Sequence, residues 1–370
     1  MADSSPIDDA PPPAAAEANA TYDFSAAAGP LPTPVIARIA AACRNWRGCG
    51  SALSLPFTSE ACRELMRDTR ARMCRVLAIP GTHDVLFLQG GASAQFSLVP
   101  LNLLGQAGSA AYLISGYWSR RAMEEAGRYC NVRALDWNGA SDWEAPWLDE
   151  RRIAYLHVTS NETADGTQLR ELPHARVPLA IDMTSDVFTR HLPWERIGVA
   201  YCAMQKAIGV AGLTLVVVRR DLLGRARAGV PCVFDYAAQS TNGSRVNTPP
   251  MFALFVAHAV LEWIDASGGL PAVSTALARR SRQLYKVIDS CASAFHADAP
   301  SAVRSPTSIC FDLRDPHRAR QFSDEAQRRG IAGLAGHSKT GGLRAANYIG
   351  TSDAAISRLC ELLADFAAPR

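Results

Sequence analysis

The sequence predicts an α/β protein: a mostly parallel sheet covered by helices, followed by a smaller α+β unit. Two observations carry this. Between Asp84 and Val218, short β-branched apolar runs bounded by glycine or polar residues alternate with stretches of helical periodicity, the pattern of strands buried on both faces. Beyond Asp221 the alternation gives way to a polar loop, long helices and isolated strands. At 370 residues the chain can bury a large core. The change of pattern divides it into a large unit over 21–267 and a smaller one over 268–370, with the boundary at Ser267-Gly268-Gly269.

Thirty-eight basic and 35 acidic residues are interspersed and leave a net charge of +3, so there is no electrostatic footprint for nucleic acid. The ten cysteines form no CxxC pair and no Cys/His ligand spacing, which argues against a metal site and a disulfide framework and for a reducing, cytoplasmic setting. No apolar run has the length to cross a bilayer. Residues 1–20, rich in Ala, Pro, Asp and Ser, have little to bury and read as a disordered extension.

In chain order, Thr33-Pro34 caps a first helix whose Val35, Ile36, Ile39, Cys43 and Trp46 follow helical spacing. A second runs from about Ser59 to Leu77, with Thr58 or Ser59 as its cap. Asp84–Leu88 is a strand followed at once by Gln89-Gly90-Gly91-Ala92-Ser93 and a helix start, an arrangement that aims backbone N–H groups at an anion or serves turn geometry alone. Strands at Ala110–Gly116, Asn131–Trp137 and Ile153–Thr159 and a helix at Ser119–Cys130 continue the alternation. Val177–Asp186 holds a strand ending in Asp182. Tyr201–Val218 then places Lys206 between two apolar strands. Asp235–Pro250 is a polar loop whose double proline opens a helix over Met251–Ala266. A basic helix through Arg279, Arg280 and Arg282, a strand at Ile309–Leu313, a helix near Arg318–Arg329 and a last helix from Ser352 complete the chain.

The residues with chemical potential fall at strand ends, where open α/β sheets bind ligands: Ala92 and Ser93, Trp118, Thr163, Asp182 and Lys206. Lys206 reads either as a solvated strand-end lysine or as a desolvated amine that forms a Schiff base with a carbonyl cofactor. Asp182 is a natural partner for the protonated pyridine nitrogen of pyridoxal 5'-phosphate.

The chain resembles the phosphoserine aminotransferase family, class-V aminotransferases of fold type I, from about Tyr22 to Phe366. The matching stretches are DFSAAAGP (Asp23–Pro30), QGGASAQF (Gln89–Phe96), PLNLLG (Pro100–Gly105), SGYW (Ser115–Trp118), NETADG (Asn161–Gly166), QKAIGVAGLT (Gln205–Thr214), NGSRVNTPP (Asn242–Pro250) and GGLRAANY (Gly341–Tyr348). The resemblance implies pyridoxal phosphate as cofactor, joined to Lys206 and held at its ring nitrogen by Asp182. It implies Trp118 stacked on the ring and Thr163 at the phenolic oxygen. The phosphate would rest on Ala92, Ser93 and Gln205, with Asn247 and Thr248 reaching over from the second subunit of a homodimer. Arg344 would clamp the substrate α-carboxylate. The substrates implied are small molecules, an amino acid and a 2-oxo acid, by default glutamate and 3-phosphohydroxypyruvate of serine biosynthesis.

This sequence also departs from the family. A His-Arg pair that grips the distal substrate group is replaced by Thr58-Ser59, an arginine following His337 is Ser338, and a glycine-arginine pair is Ala92-Ser93. Each charge-assisted contact is worth roughly 1.5 to 3 kcal/mol. Lys339 and Arg245 are the available substitutes. Phosphoserine turnover, another substrate in specialised metabolism, a different reaction on the same cofactor, and a non-catalytic binding protein therefore all stay open.

Overall fold

A computed structural model describes residues 21–105, 107–139, 143–149 and 151–368; the extension expected over 1–20 lies outside the described residues. Seven strands form the main sheet: β1 His83–Leu88, β2 Ser109–Ile114, β3 Asn131–Asp136, β4 Leu156–Thr159, β5 Leu179–Asp182, β6 Ile197–Ala203 and β7 Thr214–Arg219. The helices used below are α1 Thr33–Arg44, α2 Glu60–Val76, α3 Gly91–Leu103, α4 Tyr117–Ala126, α5 Met251–Ala266, α6 Gly269–Ser290, α7 Ala319–Arg328 and α8 Asp353–Ala367.

The spatial order is β1-β7-β6-β5-β4-β2-β3. Pairing is parallel from β6 through β3, whereas β7 runs antiparallel to both β6 and β1. The reversal follows from chain length: the link from Met204 to Leu213 is shorter than the roughly dozen residues a parallel crossover needs. Alternate residues serve opposite faces. Leu179, Ile181, Leu215 and Val217 share a core with α2 and α5, while Ala180, Val216 and Val218 share one with α3 and α4. That double burial is why these strands read as continuous apolar runs.

Helix α2 buries Cys62, Leu65, Met66, Thr69, Met73 and Val76, and Ser59 rather than Thr58 caps it, its Oγ accepting the Cys62 N–H at 3.2 Å. Such a cap contributes about 1 kcal/mol. At α1 the expected cap shifts: Pro32 occupies the cap position, Thr33 is already helical, and no side chain caps the end. Of the apolar stripe read on α1, Val35 is buried but Ile36 is 52% exposed.

A second sheet, ordered β8-β9-β11-β10, comprises β8 Phe295–His296, β9 Ser308–Leu313, β10 Ala335–His337 and β11 Gly341–Ala346, all antiparallel. Its core of Phe295, Phe311, Phe322, Ile356 and Leu363 also takes in Phe24, and Tyr22-Asp23 pairs with Ile331-Ala332. Helix α6 contributes Leu270, Val273 and Leu277 to the large core and Leu284 and Ile288 to the smaller one. Among the described residues no single helix is long and apolar enough to cross a membrane; α5 and α6 together are, but they meet at 88° and α5 is buried nearly all round.

Candidate active site

The carboxyl ends of the strands converge on one pocket of about 390 Å³. Asp182 is the last residue of β5, Lys206 lies just past β6, and Thr163 follows β4. Trp118 is the second residue of α4, after β2, and Ala92 and Ser93 open α3, after β1. All six line the pocket with Gln205, His337 and Arg344, so nine of the residues singled out in the sequence meet in one place.

Lys206 Nζ lies 3.4 Å from Thr163 Oγ1 and 5.8 Å from the centre of the Trp118 ring. The same Thr163 oxygen accepts the Trp118 indole N–H at 2.8 Å, so one hydroxyl fixes both ring and amine. Burial lowers the Lys206 pKa to about 8, with the Asp182 charge opposing that shift and Arg344 adding to it. Around pH 8 much of the amine is neutral and able to attack an aldehyde. Asp182 is 6% exposed, and its Oδ1 accepts the Thr184 N–H at 2.9 Å. Burial raises its pKa, while the Thr184 hydrogen bonds and the Lys206 charge hold the ionised form.

Backbone packing sets the floor. Gly29 donates its N–H to the Gln205 carbonyl at 2.8 Å, and a Cβ on Gly29 would stand 2.1 Å from the Lys206 carbonyl, so only glycine fits. At α3, Gly90 and Gly91 take φ of +99° and +69°, and the Gly91 N–H goes to Thr214 Oγ1 at 2.9 Å. The N–H groups of Ala92 and Ser93 belong to the helix's first turn, which has no intrahelical acceptors and attracts anions. At α4 the Glu162 carboxylate accepts the N–H of Trp118 at 2.8 Å and of Ser119 at 2.9 Å, and Asp165 accepts that of Tyr117 at 3.0 Å. Burial raises the Glu162 pKa to about 7.

Arg344, on β11, donates from Nη1 to the Thr163 carbonyl at 2.6 Å, and its buried Nε has no partner. The His337 ring sits 4.5 Å from that of Tyr117, and burial lowers its pKa, leaving Lys206 and Arg344 as the cations among the lining residues. An amine, a buried carboxylate, an indole face, a helix N-terminus and a guanidinium suit the aldehyde, pyridine nitrogen, ring and phosphate of pyridoxal phosphate and a substrate carboxylate.

The pocket of this chain does not take in Thr58, Ser59, Arg245, Asn247, Thr248, Ser338 or Lys339. Ser59 is used as the α2 cap; Thr58, Arg245, Ser338 and Lys339 are exposed. Asn247 and Thr248 are exposed as well, Asn247 Oδ1 accepting from Gln239 at 3.3 Å and the Thr248 carbonyl from Gln89 at 2.8 Å. Sequence reasoning missed Ala26, Ala27, Phe96, Asn161, Thr184 and Ser185 as lining residues. The run of small residues before Gly29 and the polar triplet after Asp182 were the available signals.

The class-V aminotransferase family model matches residues 21–359. The chain belongs to the class-V aminotransferases. It is 35% identical to the phosphoserine aminotransferase of Chromobacterium violaceum, covering 94% of this chain and 98% of that one, and 38% identical to the Azotobacter vinelandii enzyme, covering 93% and 97%. Among solved structures, pyridoxal-phosphate-bound phosphoserine aminotransferase from Trichomonas vaginalis superposes with a TM-score of 0.85 at 30% identity over 93% of this chain and 99% of that one. The Bacillus circulans enzyme gives 0.87 at 30%, over 94% and 98%. This class-V aminotransferase therefore has the fold type I architecture and pyridoxal phosphate as cofactor, and it is an enzyme resembling phosphoserine aminotransferase.

Proposed function

We propose that the protein is a cytoplasmic homodimeric aminotransferase that exchanges an amino group between a small amino acid and a 2-oxo acid in ping-pong fashion, and that its preferred substrate lacks a distal phosphate. The observation that carries the reading is the meeting of Lys206, Asp182 and Trp118 with the α3 N-terminus in one pocket. Pyridoxal phosphate, when bound, supplies an aldehyde that takes up the amino group and a ring that receives the electron pair left at Cα.

Lys206 would hold the aldehyde end of the cofactor, and its amine is placed to serve as the base that moves the proton at substrate Cα. Asp182, whose ionised form the Thr184 hydrogen bonds and the Lys206 charge favour against the burial that raises its pKa, would face the ring nitrogen and favour its protonated form. Thr163 and Trp118 fix the ring plane, and the Ala92 and Ser93 N–H groups with Gln205 hold the phosphate. Arg344 orients the α-carboxylate, bidentate binding setting which Cα bond faces Lys206.

The homodimer is supported by exposed apolar side chains at Ile36 and Leu53, 52% and 62% accessible, and by Asn247 and Thr248 lying outside their own pocket. The chain divides functionally into 21–267, which holds the cofactor, and 268–370, which brings His337 and Arg344. Absorbance spectroscopy tests the reading: the purified protein should be yellow, borohydride should fix the cofactor to Lys206, and an amino donor should bleach the band. A protein that binds the cofactor but leaves the band unchanged with every amino acid would be a binding protein instead.

A further inference from the structure

Arg280 stands on α6 with 6% of its surface exposed, and no carboxylate among the described residues pairs with it. Its Nη2 donates to the Tyr348 carbonyl at 3.3 Å, a long bond, and its Nε is buried without a partner. Asp353, the acid whose charge acts on Arg280, is already held by both oxygens to Arg279, at 2.8 and 2.7 Å. Burial lowers the Arg280 pKa to about 10, with Asp353 opposing and Arg279 adding to the shift, so the group still carries its charge at neutral pH. A guanidinium taken out of water without a counter-ion is costly, and a protein that keeps one there gains if an anion completes the pair.

The space for such an anion exists. Arg280 lines a pocket of about 310 Å³, separate from the catalytic one, between the start of α1, the end of α5 and the loop entering α8. Its wall has an apolar side, Trp263, Val273 and Ile349, and a polar side, Thr33, Thr351 and the first turn of the 15-residue α8, whose Asp353 also lines the pocket but has its carboxylate paired with Arg279. Ser352 caps that helix by accepting the Ala355 N–H at 3.1 Å, which leaves the other first-turn N–H groups without an intrahelical acceptor. The loop passes close against the chain before α1, where only glycine fits: a Cβ on Gly350 would lie 2.0 Å from the Pro30 carbonyl.

We propose that this pocket binds a small organic oxyanion, its charged group between Arg280 and the N-terminus of α8 and its short apolar body against Trp263 and Val273. The place is tied to the catalytic floor. Tyr348, whose carbonyl faces Arg280, donates its hydroxyl to the Ala26 carbonyl at 3.1 Å and packs its ring on Gly29.

Calorimetric titration of the holoenzyme with butanoate, and separately with inorganic phosphate, in a chloride-free buffer tests this. Butanoate should saturate one site per chain in Arg344→Gln, where the catalytic pocket has lost its carboxylate clamp, with phosphate weaker because it leaves the apolar wall uncovered. Arg280→Gln should weaken butanoate binding at least tenfold, and Arg344→Gln, which removes the guanidinium of the catalytic pocket, should leave it in place. Should Arg280→Gln not fold, Ala276→Leu fills the pocket without changing charge and should likewise abolish binding. Absence of saturable binding, or binding lost with Arg344→Gln and kept with Arg280→Gln, overturns the proposal.

Discussion

Glu162 accepts the backbone N–H of Trp118 at 2.8 Å, so a buried carboxylate from the β4 side of the sheet anchors the helix turn that presents the ring of Trp118 to the pocket. Burial holds that carboxyl at a pKa of about 7 against an ordinary value of 4.5. The folded chain therefore keeps its proton at pH values where the unfolded chain has lost it. Between these two pKa values the native state binds more protons, and stability falls as pH rises, the loss being complete above about pH 7. At about 1.4 kcal/mol per unit this component amounts to roughly 3 kcal/mol. Urea unfolding from pH 4.5 to 8 at fixed protein concentration should show a stability slope that Glu162→Gln removes; an unchanged slope in the variant would assign the titration to another group.

Lys206 gives a second pH dependence, of opposite kind. Its pKa of about 8 makes the reactive neutral amine available well below the range of an exposed lysine. Condensation of the cofactor-free protein with pyridoxal phosphate should accelerate between pH 7 and 8 and level off above. Asp182→Asn takes away the charge that raises this pKa, so the inflection should move to lower pH. Lys206→Ala should give no borohydride-stable adduct, and an adduct of equal yield in that variant would place the attachment on a different lysine.

What the sequence revealed, and what it withheld, divides along physical lines. Strand positions such as Val85–Leu88 and Leu215–Val218 followed from their apolar runs because both faces of the sheet are buried there, whereas the edge strand Asn131–Asp136 is largely exposed. The reversal of β7 was implicit in the short Met204–Leu213 link yet went unread, since β-branched runs look alike in either direction. In the pocket, Lys206 and Asp182 stood out because charged groups interrupt apolar strands. Glu162 did not, because it follows a strand within a polar triplet and only the folded chain brings it beneath Trp118. Ser59 and Thr33 show the limits of local pattern: the first caps its helix as its sequence context predicts, while at the second the neighbouring Pro32 takes the position.

Asp182 carries the third prediction. An uncharged amide at this buried position cannot hold a protonated pyridine nitrogen, so the ring becomes a weaker acceptor of the electron pair left at Cα. Asp182→Asn should slow the half-reaction with an amino donor roughly a thousandfold, about 4 kcal/mol, while the cofactor remains attached to Lys206. Stopped-flow measurement of band decay checks this. A near wild-type rate would remove Asp182 from the chemistry.

Substrate choice is the last prediction, because there the family and this chain's residues differ. Arg344 is available for the α-carboxylate, and among the described residues of one chain the pocket lining offers no further cation except Lys206, which would be committed to the cofactor. A distal phosphate entering such a site would surrender its water without charged partners, a cost of several kcal/mol for an ion. Thr58 and Ser338, where the family carries cationic residues, are neutral and exposed, and Ser59 is spent on capping α2. Phosphoserine should therefore react more slowly than at least one amino acid with an uncharged side chain, in half-reactions followed on the wild-type enzyme. Ser59→Arg with Ser338→Arg should raise the phosphoserine rate, at about 1 kcal/mol of stability for the lost cap. If phosphoserine reacts fastest in the wild type and Lys339→Ala or Arg245→Ala abolishes that preference, the distal charge has been relocated to these exposed side chains.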